Sequence, residues 1–74
     1  MNMIKCLVIW RDNGSVFIHS KVNVPANIAE TLNSNDWIRL AAKSEVCSEN
    51  EINDLIENGY ELIFVSTMPE KVFL

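Results

Sequence analysis

The chain has 74 residues, a formal net charge of −4, 49% hydrophobic residues and 22% charged residues. A chain of that length is a single domain, 1–74, with a small core and modest stability. The apolar and charged fractions exclude a disordered, collagen-like or low-complexity chain.

The charge is unevenly placed. Residues 1–43 carry five bases against three acids, and residues 44–74 carry one base, Lys71, against seven acids. Nucleic-acid surfaces and anionic membranes are met by clustered Lys and Arg, so the acidic half argues against both partners. The N-terminus lacks a basic stretch followed by a long apolar run and a small-residue cleavage site. The longest purely apolar stretch, Cys6 to Trp10, is far short of a bilayer span. Cys6 and Cys47 show no framework spacing and read as reduced thiols. A cytoplasmic protein is the expectation.

In chain order, residues 3–11 and 15–24 are rich in Val, Ile, Leu, Phe and Trp and are separated by Asp12-Asn13-Gly14-Ser15. Asn-Gly between apolar runs predicts a hairpin closed by a type I′ turn. A two-residue loop would pair Trp10 with Phe17 and Val8 with His19. Met3, Leu7, Ile9, Val16, Ile18, Val22 and Val24 would then share the core face, with Lys5, Arg11 and Ser20 at its margins. The opposite face would carry Ile4, Val8, Trp10 and Phe17 together with Cys6, His19, Lys21 and Asn23.

Pro25 suits the first position of a helix over 26–33, with Ile28 and Leu32 turned toward the sheet. Asn33 to Asp36 breaks it. Residues 37–43 read as a strand with Ile38, Leu40 and Ala42 on one face. The alternative is a helix capped by Asp36 with Trp37, Leu40 and Ala41 inward. Ser48-Glu49-Asn50-Glu51 has the spacing of a capping box for a second helix, whose apolar stripe is Ile52, Leu55 and Ile56. Asn58-Gly59 ends that helix, with Gly59 free to turn left-handed. Tyr60 to Thr67 is a strand, and residues 71–74 suit a short edge strand. The order is β-β-α-β-α-β. It implies an α+β fold with a small, mostly antiparallel sheet and two helices on one face.

No pattern points to catalysis, a cofactor or a metal. Cys6, His19 and Cys47 are the only soft ligands, with neither paired-cysteine nor paired-histidine spacing. Cys6 and His19 would share a face of the hairpin, but a thiol–imidazole pair needs direct hydrogen-bond reach and an orienting third group. Both glycines are used by a turn and a helix end, which leaves no phosphate-binding loop.

Surfaces are more informative. Glu51, Asp54 and Glu57 fall on one arc of the second helix with no basic residue four positions on, and Glu61 follows. A row of carboxylates suits docking to a basic protein surface. Trp10, Phe17 and Val8 form an apolar patch suited to an interface, most simply a homodimer. The reading is a non-enzymatic protein-binding module, of the kind phage or mobile elements use to inhibit a nucleic-acid-handling protein. One alternative is single-stranded nucleic-acid binding by the N-terminal hairpin, with Lys5, Arg11, Lys21, Arg39 and Lys43 around Trp10, Trp37 and Phe17. Another is a small enzyme using Cys6 and His19.

Overall fold

A computed structural model describes residues 2–11 and 16–65. Two long strands form the centre, β1 (Met3–Arg11) and β2 (Phe17–Pro25), as their β-branched and aromatic content dictates. They pair antiparallel, with Trp10 opposite Ile18, Val8 opposite Ser20 and Arg11 opposite Phe17. This register is one residue away from that of a two-residue loop. The Asn13-Gly14 turn itself lies outside the described residues.

Hydrophobic patterning explains the shift. In β1 the even positions Ile4, Cys6, Val8 and Trp10 are uniformly apolar, whereas the odd ones include Lys5 and Arg11. The observed register sets those even positions against Ile18, Ser20, Val22 and Val24. The two-residue loop would have set them against Phe17, His19, Lys21 and Asn23. A slip of one residue moves a whole strand's side chains to the other face, so burial outweighs the preference of the turn. Cys6, Val8, Trp10, Val22 and Val24 accordingly form one buried cluster with Trp37, Ala41 and Val65.

Two helices cover this cluster. α1 (Ala26–Ala29) is shorter than the expected 26–33 and follows Pro25 directly. α2 (Ser34–Ala42) replaces the strand expected over 37–43; the helical alternative holds for that segment, but its cap is Asn33 rather than Asp36, which stands at the third helical position. Asn33 caps it: the Asp36 amide donates to Asn33 Oδ1 at 2.8 Å, and the Asn33 amide donates back to Asp36 Oδ2 at 3.3 Å. The reciprocal pair satisfies two of the helix's orphan donors. Trp37 and Ala41, four residues apart, then face the sheet and are buried.

The remaining elements are short. β3 (Glu45–Cys47) pairs antiparallel with His19–Lys21 of β2. A single 3-10 turn, Glu49–Glu51, leads into α3 (Ile52–Glu57). The capping box expected at Ser48 does not form. Ser48 Oγ donates to the Glu51 carboxylate at 3.3 Å, and no side chain bonds an amide there. β4 (Glu61–Phe64) runs parallel to β1, so the sheet order is β3-β2-β1-β4. The fold is a small α+β domain whose sheet is antiparallel except at β1–β4. The strand expected at 71–74 lies outside the described residues.

α1 and α2 share one face of the sheet; α3 covers the other. Leu7 belongs to that other face and is completely buried. Lys5, on the same face, places its ammonium 5.5 Å from the ring centre of Tyr60, just beyond α3. Gly59 ends α3 with φ +98°, the left-handed conformation that side chains resist. No other group comes within 4 Å of where its Cβ would sit. Gly59→Ala therefore carries only the backbone cost, a loss of about 1–2 kcal/mol in urea unfolding. A loss under about 0.3 kcal/mol would contradict the assigned conformation.

Candidate functional site

α3 begins where the 3-10 turn ends, and its half-buried Ile52 and Leu55 turn toward the sheet. That orientation leaves Glu51, Asp54 and Glu57 exposed, at a spacing of three residues along one side. Two ion pairs form among the described residues: Lys21–Glu45 at 3.5 Å and Arg39–Asp36 at 3.4 Å. Neither involves an acid of α3. Burial pulls the Lys21 ammonium down, but Glu45 outweighs it, with Glu51 adding to the upward shift. Asp54 sits in the first turn of α3, where a carboxylate suits the helix dipole. Glu57 sits at the opposite end, where it does not. The row is solvated negative charge that forms no ion pair among the described residues, and only Glu51 lies near enough to Lys21 to act on it.

Glu61 does not join this row. It pairs in register with Cys6, and its side chain belongs to the sheet face covered by α1 and α2. There it borders a cavity of about 360 Å³ with Ile4, Ala29, Glu30 and Trp37. The four carboxylates thus divide into three along the 3-10 turn and α3 and one across the sheet. Sorting β4 by alternation places Glu61 with Ile63 and opposite Leu62, and that was the signal available for finding the division.

The expected apolar interface is also redistributed. Val8 is wholly buried and Trp10 is 7% exposed, both inside the core, so neither is available to a second copy. The indole Nε1 of Trp10 donates to Ser20 Oγ at 3.0 Å. Phe17 alone of the three lies on the surface, on the α3 side of the sheet. Its ring centre is 5.6 Å from that of Phe64, and the Arg11 guanidinium stacks 4.5 Å above it. Phe64 and Leu62 are more than half exposed. They were legible as one face of β4, yet went unmatched with Phe17 because the assumed register sent Phe17 to the opposite side.

The same register separates Cys6 from His19. Cys6 points into the core and His19 to the α3 face, so the two do not form a thiol–imidazole pair. His19 is instead level with Cys47 across β2–β3. Burial, then Glu61, raises the Cys6 thiol. Burial, then Glu51, raises that of Cys47, with Lys21 opposing. Both directions disfavour the thiolate that a nucleophile or metal ligand requires. No group of three or more His, Cys, Asp or Glu side chains gathers around a possible metal position among the described residues. Trp37, a proposed base-stacking platform, is 7% exposed, as is Trp10. No helix among the described residues is long and apolar enough to cross a membrane.

Comparison with protein-family models, curated proteins and solved structures finds no match.

Proposed function

We propose that this domain is a non-enzymatic protein-binding module that meets a cationic partner through α3. The observation carrying this reading is the exposure of Glu51, Asp54 and Glu57 with no ion-pair partner among the described residues. Unneutralised carboxylates in a row raise the domain's own electrostatic energy and lower it again when a complementary surface docks. A basic surface of a nucleic-acid-handling protein fits that charge, and occupying it would make the domain an inhibitor. The burial of Trp10 and Trp37 leaves the alternative, base stacking on the hairpin, with Phe17 alone of its three platforms.

The test is affinity capture from the native host with the wild-type domain and with a Glu51→Lys, Asp54→Lys, Glu57→Lys variant, at low and high salt. The wild type retains a basic protein at low salt, loses it as salt rises, and the variant does not retain it. Capture that is indifferent to both reversal and salt contradicts the proposal. Circular dichroism of the variant checks that the exposed substitutions leave the fold intact.

A further inference from the structure

The cavity of about 360 Å³ that Glu61 borders opens on the α1–α2 side of the sheet. Its walls come from four elements: Ile4 of β1, Ala26 and Ala29 of α1, Trp37 of α2 and Ile63 of β4. A hollow of that size, with mostly apolar walls, takes a small molecule or the end of a peptide.

Two carboxylates stand at its rim, Glu30 directly after α1 and Glu61 at the start of β4. Both residues are exposed, and neither forms an ion pair among the described residues. No Lys, Arg or His lines the cavity. The matching occupant is therefore a cation. A third polar group belongs to the wall. Trp37 is 7% exposed, and its indole N–H donates to no acceptor among the described residues, whereas that of Trp10 donates to Ser20. A buried donor left unpaired is costly, so an occupant that brings an acceptor gains by it.

These groups narrow the occupant by its chemistry. A hard metal ion takes six or so oxygen ligands, and the apolar walls add none to the two carboxylates. An alkylamine brings the charge but nothing for the indole to donate to. A free amino acid places its own carboxylate beside two others. The end of a peptide combines an α-ammonium, a neighbouring carbonyl and a side chain. We infer that this cavity receives the amino-terminal residue of a peptide, one with a small apolar side chain. The α-ammonium lies between Glu30 and Glu61, the first carbonyl accepts from Trp37 Nε1, and the side chain packs against Ile4, Ala29 and Ile63. The cavity lies across the sheet from α3, so this recognition is independent of the docking proposed there.

The test is a chemical-shift titration of the ¹⁵N-labelled domain, read at the backbone amides and at the tryptophan indole N–H signals. The probes are the dipeptide valyl-alanine amide, its N-acetyl form, which lacks the charge, and isobutylamine, which lacks the carbonyl. The free dipeptide shifts the Trp37 indole signal and the amides of Ile4, Ala29 and Ile63 saturably. The acetylated form does not, and isobutylamine binds at least about fivefold more weakly. A Glu30→Gln, Glu61→Gln variant, both positions being exposed, weakens the dipeptide at least about tenfold while leaving the unbound β1 and β2 amides in place. Equal binding of the free and acetylated dipeptides, isobutylamine as tight as the dipeptide, indifference to the double substitution, shifts confined to α3, or no shift at all overturns the inference.

Discussion

Leu7→Ala lowers the stability of the domain by about 2–5 kcal/mol, the cost of removing a large side chain from a site that cannot collapse. Leu7 is completely buried on the sheet face opposite the main cluster. A chain this small has a total stability near the lower end of the usual range, about 5 kcal/mol. The variant therefore retains about 0–3 kcal/mol, and at the upper end of the loss it is substantially unfolded near room temperature. The internal comparison is Leu62→Ala: Leu62 is level with Leu7 on β4 but 52% exposed. Its truncation costs about 0.5 kcal/mol or less, as at other surface positions. Urea unfolding followed by circular dichroism gives both values. Equal losses at the two positions would mean that α3 does not cover Leu7.

The second large effect is the coupling between Trp10 and Ser20. The hydroxyl of Ser20 accepts the indole N–H in a place without solvent. Ser20→Ala leaves that N–H buried and unpaired, at a cost of about 1–3 kcal/mol. Trp10→Phe removes the donor and leaves a gap in the core. In the double variant Ser20→Ala adds little, because the group it orphaned is gone, and the cycle returns a coupling of about 1 kcal/mol or more. The pair reports directly on strand register. Trp10 and Ser20 share a face only because Val8, rather than Leu7, stands opposite Ser20. A coupling indistinguishable from zero would restore the register of the two-residue loop.

That register separates what was legible in the sequence from what was not. β1, β2, α3 and its glycine end were visible because apolar periodicity and Gly59 act locally. The fold class followed from them. Pairing went astray by one residue because Asn13-Gly14 was given more weight than the strands' own alternation. Sorting each strand separately makes Ile4, Cys6, Val8 and Trp10 the natural partners of Val22 and Val24. α2 was ambiguous over Trp37–Lys43, where apolar residues suit either period. The deciding signal stood just upstream, in the spacing of Asn33 and Asp36. β3 was not legible at all. Glu45–Cys47 has no alternation of its own and is a strand only because β2 offers an edge.

The site followed the same division. Glu51, Asp54 and Glu57 were correctly assigned to solvent because their positions depend only on the helix period. Trp10, Val8 and Glu61 were misplaced because their faces depend on long-range pairing. Cys6 and His19 parted for that reason too, which removes the one arrangement that resembled a nucleophile and its base.

The most direct test of docking through α3 is an amide-shift map of the ¹⁵N-labelled domain with its captured basic partner. The account predicts that the largest perturbations run through Glu51, Asp54 and Glu57, while the amides around Phe17 and Phe64 stay in place. Perturbations centred on Phe17 and Phe64, with α3 unmoved, would contradict it.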